Sequence, residues 1–328
     1  MVKVDLITGF LGSGKTTLIR HYARYLMKKG EKIGIIENDH GSVNVDMMLL
    51  QDLEKEGAVT EMVVGGDLSC FRRRFRTKLI TMGMQNLDRV LVEPSGVYDP
   101  DEFFDAMYED QISRLCQIGS VISVVDTYLD IPLGDQADYL MVSQLSDAGM
   151  ILLSHITGGE EDQMRCQETM HYINQAMEKF GCSRKFDEHF FQKDETSTPI
   201  LAKDWRNLTA SDYERIESAG YTEYDHVKRQ TEQQFQTLYY MNLNLGREAL
   251  QQAASDLMTQ EMYLKEKTAG RIYRVKGFFR DNDKWYELNA AHNGTEIREV
   301  EEGQNVLIVI GEGMNADAVD RRFGQRHI

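Results

Sequence analysis

The sequence predicts an α/β fold, a mainly parallel sheet covered by helices, followed by a smaller α+β C-terminal domain. Three observations carry this. Over the first 155 residues, short apolar runs alternate with segments of helical spacing, the pattern of parallel strands covered on both faces. Beyond about residue 226 the rhythm changes to short strands at close intervals, with the turn signal Asp281-Asn282-Asp283 between two of them. At 328 residues the chain is too long for one ordinary core and suggests two domains.

Taken in order, residues 2–8 form a strand-like run. Residues 16–29 place Leu18, Ile19, Tyr22, Tyr25 and Leu26 at helical spacing. Further strands are predicted at 33–37, 59–64, 89–93, 121–126 and 150–154, and a helix over 160–180. Residues 181–225 are polar and irregular, with Lys203-Asp204-Trp205 among them, and read as a connector. The predicted boundaries are a first domain over 1–200, a connector over 201–225 and a second domain over 226–328. In the second, a strand at 235–243 and a helix at 247–265 precede strands at 271–279, 284–289, 296–300 and 305–310, and a last helix at 315–323.

Composition narrows the function classes. Hydrophobic residues at 41% and charged residues at 27% exclude a mainly disordered chain. No apolar run reaches the length of a membrane span, and the N-terminus lacks a signal-peptide core, so a cytoplasmic protein without membrane contact is expected. Cys70, Cys116, Cys166 and Cys182 form no close pair and read as reduced thiols. The net charge of -16 argues against nucleic acid as a partner. Ten acidic residues and one basic residue, Arg114, lie between Asp101 and Met150, which reads as a solvated face or a docking surface for a basic partner.

The strongest chemical signal is Gly9-Phe10-Leu11-Gly12-Ser13-Gly14-Lys15-Thr16, which fits G-x-x-x-x-G-K-[ST] at every fixed position between a predicted strand and a predicted helix. In such a loop Gly9, Gly12, Ser13 and Gly14 let backbone N–H groups converge on phosphate oxygens at a helix N-terminus. Lys15 then reaches the β- and γ-phosphates, and Thr16 ligates Mg²⁺. The ligand is a nucleoside triphosphate, and the fold class becomes that of a P-loop NTPase. A second carboxylate is needed for the metal, and Glu93, closing Val90-Leu91-Val92, stands at a strand end. Asp126 is the other strand-end acid.

Four stretches, in order, resemble the CobW-type GTPases, the metallochaperone-associated branch of P-loop proteins, whose relatives include the urease and hydrogenase nickel-insertion GTPases. They are the segment from Thr8 through Lys15, Thr16 and Thr17 to Leu18; Asn38-Asp39-His40-Gly41 with Asp46 following; Glu93-Pro94-Ser95-Gly96-Val97-Tyr98-Asp99-Pro100; and Arg274-Val275-Lys276-Gly277-Phe278. The resemblance implies a Mg²⁺-dependent GTPase acting as a conformational switch for a client protein that depends on a metal or a corrinoid. Thr17 joins the nucleotide-binding residues. Asp39 and Asp46 are the switch residues that sense the γ-phosphate or orient water, with Lys15 and Glu93 completing the catalytic set. The C-terminal domain faces the client or relays the change, and a nucleotide-dependent homodimer is left open. Against the GTPase reading stand a non-hydrolysing nucleotide-binding adaptor and a small-molecule P-loop kinase.

The sequence departs from that family at two places. Gly66-Asp67-Leu68-Ser69-Cys70 stands where the family carries G-C-x-C-C, leaving Asp67 and Cys70, with His40, as candidates for a mixed second metal site rather than a sulfur-rich one. Ser154-His155-Ile156-Thr157 stands where the family reads guanine with N-K-x-D, so ATP or relaxed base selection is open beside GTP. Arg72-Arg73-Arg74 and Arg76 form a basic run that reads as a solvated helix face, or as a contact to phosphates or an acidic partner.

Overall fold

The computed structural model describes residues 1–39, 47–64, 68–193, 197–228, 235–259, 270–292 and 294–328; at 38, 39, 47–49, 51, 64, 68–71 and 160 it describes the backbone alone. The chain forms two compact units, Met1–Thr127 with Ile131–Arg229, and Tyr128–Asp130 with Gln230–Ile328.

The first unit is built on seven parallel strands: β1 (Val2–Thr8), β2 (Ile33–Asp39), β3 (Val59–Val64), β4 (Arg89–Glu93), β5 (Cys116–Asp126), β6 (Met150–Ser154) and β7 (Ile200–Ala202). Their order is β3-β2-β4-β1-β5-β6-β7. The intervening helices are α1 (Lys15–Lys28), α2 (Met47–Lys55), α3 (Leu68–Gly83), α4 (Asp101–Met107), α5 (Asp110–Ser113), α6 (Asp135–Ser146), α7 (Glu160–Lys179) and α8 (Ala210–Glu217). Alternate strand residues feed the two faces, as the two-residue period requires. Val4, Leu6, Val90 and Val92 pack with Phe75 and Leu79 of α3 and Phe103 of α4. Ile7, Ile35 and Leu91 pack with Leu18 and Tyr22 of α1, Leu53 of α2 and Ile216 of α8. A strand buried on both faces has no solvent side, which is why Val90-Leu91-Val92 of β4 and Met150-Ile151-Leu152-Leu153 of β6 are continuous apolar runs.

One buried polar cluster crosses this sheet. Asp5 accepts from Arg89 Nη1 at 2.8 and 2.7 Å, from the Tyr22 hydroxyl at 3.0 Å and from the Ser120 amide at 2.8 Å. Arg89 also reaches Glu31 and Glu217. Neither Asp5 nor Arg89 is accessible to water.

The second unit is a five-stranded antiparallel sheet of β8 (Gln236–Met241), β9 (Arg271–Asp281), β10 (Lys284–Ala291), β11 (Gly294–Val300) and β12 (Val306–Glu312), ordered β11-β10-β9-β12-β8. Helices α9 (Arg247–Met258) and α10 (Ala316–Phe323) pack onto it through Leu250, Leu257, Val319 and Phe323. The β9–β10 hairpin turns at Asn282 and Asp283, both at positive φ (47° and 65°), which asparagine and aspartate tolerate best among non-glycine residues.

The structure corrects two readings. Residues 201–225 are not a plain connector: strand β7 pairs with β6, Leu153 opposite Ala202, and helix α8 packs under the sheet. Strand β5 begins at Cys116, not at residue 121. The basic run on α3 lies on the surface: Arg72, Arg73 and Arg74 are exposed, and Arg72 pairs there with Glu102 and Arg76 with Glu109 of the same unit. Of the helix predicted over 247–265, α9 covers the part up to Met258, and residues 260–269 lie outside the described residues.

A candidate nucleotide site

Strand β1 ends at Thr8 and the chain curls through Gly9–Gly14 before α1 starts at Lys15. The first turn of α1 carries no side-chain cap and no acidic residue. Its leading N–H groups and partial positive charge are therefore left for an anion. Gly14 sits at φ 95°, and a Cβ there would lie 2.9 Å from Cη2 of Trp205. Both the left-handed backbone and the close ring require glycine. Ser13 Oγ is buried and, among the described residues, has no hydrogen-bond partner. A buried hydroxyl left so is expensive unless a ligand completes it, and a phosphate oxygen fits.

The Lys15 side chain lies inside this loop. Its Nζ donates to Gly9 O at 2.9 Å and to Phe10 O at 3.4 Å. The Thr16 hydroxyl donates to Glu93 Oε1 at 2.7 Å, across 77 residues of sequence. That contact places a hydroxyl and a buried carboxylate side by side at the C-terminal edge of the sheet, a donor set suited to a hard, oxygen-seeking cation such as Mg²⁺. A second acid is close. Glu37 of β2 is the register partner of Glu93 and is likewise buried. Register partners leave the same face of a sheet. Sequence reasoning passed over Glu37, although its place after Gly34-Ile35-Ile36 is the same strand-end signal that marked Glu93.

The loop after β4 is held against the phosphate loop. A Cβ on Gly96 would fall 2.7 Å from the amide nitrogen of Leu11. Gln144 of α6 donates to Gly96 O at 3.3 Å and to Tyr98 O at 3.2 Å. Asp99 accepts from Tyr139 at 3.1 Å and from Ser143 at 2.7 Å.

On the other side of β1 stand the ends of β5, β6 and β7. His155 follows β6 in a left-handed conformation at φ 59°. Its Nδ1 lies 2.8 Å from Asp126 Oδ1, so it carries a proton toward the carboxylate. This hydrogen bond raises the imidazole pKa. Asp126, read from the sequence as an alternative metal acid, thus orients a histidine. Asp162 accepts from the amides of Thr157, Gly158 and Gly159 and fixes the next turn.

The structure therefore brings Gly9, Gly12, Ser13, Gly14, Lys15, Thr16 and Glu93 to one edge, with Thr17 exposed on the first turn of α1. Asp39 ends β2, but its side chain lies outside the described residues, as does that of Cys70 on α3. His40, Asp46 and Asp67 lie outside the described residues altogether. Among the described residues no group of three or more histidine, cysteine, aspartate or glutamate side chains is placed to hold a metal.

A glycine loop between strand and helix, a buried lysine, and a threonine against a strand-end acid define a P-loop nucleotide-binding fold. The family model for the CobW/HypB/UreG nucleotide-binding domain matches residues 3–180, and that for the cobalamin synthesis protein cobW C-terminal domain matches residues 244–326. The chain belongs to the CobW/HypB/UreG family. It is 30% identical over 176 residues to the zinc chaperone YjiA of Escherichia coli K12, covering 50% of this chain and 52% of that one. It is 33% identical over 136 residues to the zinc chaperone CobW of Pseudomonas aeruginosa, covering 38% and 35%. The chain thus spans about half or less of these curated relatives. Among solved structures it is similar to Zn(II)-bound YjiA GTPase from E. coli, at 15% identity, 98% coverage of both chains and a TM-score of 0.34. No helix among the described residues is long and apolar enough to cross a membrane.

Proposed function

We propose that this protein is a Mg²⁺-dependent nucleoside triphosphatase whose hydrolytic cycle drives a conformational switch serving a metal-dependent client protein. The observation that carries this is the Thr16–Glu93 hydrogen bond beside a buried Lys15 at an uncapped helix N-terminus. Two relatives are named zinc chaperones and another, from Schizosaccharomyces pombe, a zinc-regulated GTPase metalloprotein activator, which supports a client of this kind.

In this reading the loop amides and Ser13 hold the phosphates. Lys15 leaves the carbonyls of Gly9 and Phe10 for the β/γ oxygens, exchanging neutral acceptors for charged ones. Thr16 and Glu93 hold the Mg²⁺, which when bound neutralises charge on the transferring phosphoryl group. Asp39 and Asp46 orient the attacking water or sense the γ-phosphate. Asp67 and Cys70 remain the residues for any transition metal carried.

The test is turnover of GTP and of ATP by the purified chain in Mg²⁺, with and without Lys15→Ala. The substitution removes a charge contact made to the transition state, and loss of about 10²-fold or more is expected. Hydrolysis surviving it nearly intact would put the reactive site elsewhere. A wild-type chain that binds triphosphate but does not turn over is an adaptor instead.

A further inference from the structure

The sheet order runs β4-β1-β5-β6-β7, so the strand that feeds the phosphate loop has Glu93 on one side and the ends of β5, β6 and β7 on the other. If Thr16 and Glu93 mark the metal and the γ-phosphate, the nucleoside extends toward the opposite side, since a triphosphate is a linear chain.

On that side stands Trp205. It opens a short 3-10 turn, Trp205–Asn207, just past β7. Asp204 caps the turn by accepting from the Arg206 amide, and Lys203 ties it to α8 through Asp212 at 3.0 Å. The benzene edge of the indole lies against Gly14: a Cβ there would meet Cη2 at 2.9 Å and Cζ3 at 3.1 Å. Part of the indole packs on the α1 side of the sheet, yet the side chain is not fully buried. Its Nε1 is inaccessible and, among the described residues, meets no acceptor. An indole N–H is a donor that normally finds a partner when buried, and a ligand oxygen or nitrogen is one.

The carboxylates near this edge are engaged elsewhere. Asp126 holds His155, Asp162 holds three amides, and Asp204 accepts from Arg206 through both its amide and its guanidinium. A π face, in contrast, accepts any base.

We infer that Trp205 is the nucleoside contact of this site: its indole packs against the nucleobase of the bound triphosphate and holds purine nucleotides with little regard to which base they carry. This rests on the nucleotide-binding reading above. It predicts that affinity divides into a phosphate part, carried by the loop, and a base-tolerant part, carried by Trp205.

The experiment is calorimetric titration of GTP, ATP and inorganic tripolyphosphate, in Mg²⁺, into the full chain and its Trp205→Ala and Trp205→Phe variants. Trp205→Ala is expected to weaken GTP and ATP alike by about tenfold or more while tripolyphosphate stays within roughly twofold, and Trp205→Phe, which keeps a π face but loses the Nε1 donor, to lose clearly less than the alanine variant. Equal losses for all three ligands would make Trp205 a strut for the phosphate loop, and no loss would remove it from the site; either result overturns the inference. The chain holds two tryptophans, Trp205 and Trp285, so a Trp285→Phe chain leaves Trp205 as the only indole fluorophore. Its emission should change with GTP or ATP and not with tripolyphosphate. An unchanged emission in the presence of bound nucleotide overturns the inference even where the alanine variant misfolds. A wild-type chain that binds none of the three ligands refutes the nucleotide reading itself, a distinct result.

Discussion

Lys15 and His155 show two ways in which a single residue sets the chemistry of this edge. The Lys15 amine is buried, and two carbonyls of its own loop hold the charge in place. It can leave them only for something more negative, and a phosphate is that. His155 occupies the position where the family carries the middle of its guanine-reading motif, and it is bound to Asp126. Guanine selectivity comes from a carboxylate accepting two donors on the base edge, and the loss of such a reader removes orders of magnitude of discrimination. With Asp126, Asp162 and Asp204 each hydrogen-bonded within the fold, GTP is expected to bind less than about a hundredfold more tightly than ATP in side-by-side titrations. A larger preference would mean that another segment reads the base edge.

At the scale of elements, the parallel sheet is held in register by more than apolar packing. Arg89 at the start of β4 and Asp5 in β1 meet through two hydrogen bonds in a water-free setting, and Tyr22 of α1 and the Ser120 amide of β5 complete the carboxylate. Removing one partner leaves an uncompensated buried charge, so Arg89→Met should cost about 3–5 kcal/mol in urea unfolding of the first unit, and adding Asp5→Leu should recover part of it. A single variant within 1 kcal/mol of wild type, a small fraction of the about 3–5 kcal/mol expected, would show that the pair is dispensable. The elements themselves were unevenly legible. Strands β4 and β6 read clearly because burial along their whole length makes them largely apolar; β1 and β2 are buried over most of theirs, and the edge strand β3, only partly buried, shows itself through its valines and Met62. Strand β7 is three residues long, Ile200-Leu201-Ala202, too short for any period to show. The first part of β5, with Gln117, Gly119 and Ser120, is too polar to mark itself as sheet. The site followed the same division. Gly9 to Thr16 and Glu93 were legible as local motifs, whereas Glu37 and Trp205 come into view only through register and packing across the sheet.

For the whole molecule, the first family match falls in the first compact unit apart from Tyr128–Asp130 and the second match in the second unit, and the residues between them, 181–243, contain β7, Trp205 and α8. They also contain the stretch 221–228, the last described part of the first unit before the chain passes to the second. This stretch is fastened to its own unit. The Thr222 amide donates to Asp147 O at 3.0 Å, the Val227 amide to Phe180 O at 2.8 Å, and Lys228 pairs with Asp101 at 2.6 Å. Beneath it the Asp147 carboxyl is pushed up to about 7, first by burial and then by Asp101, against the opposing pull of Lys228 and a backbone N–H at Tyr224. An unfolded aspartate titrates near 4. Between those pH values the folded chain keeps a proton that the unfolded chain has released, so this residue lowers stability progressively as pH rises from about 4 to about 7, with no further change above. Asparagine keeps the shape and cannot ionise. The stability of Asp147→Asn relative to wild type should therefore rise by about 1–3 kcal/mol between pH 5 and pH 8, read from urea unfolding of the first unit at each pH. Taking the difference between the two proteins cancels the many other carboxylates, which titrate alike in both. Parallel pH profiles would mean that the Asp147 carboxyl ionises freely in the folded chain, and that the fastening at 221–228 carries no sensitivity to protons.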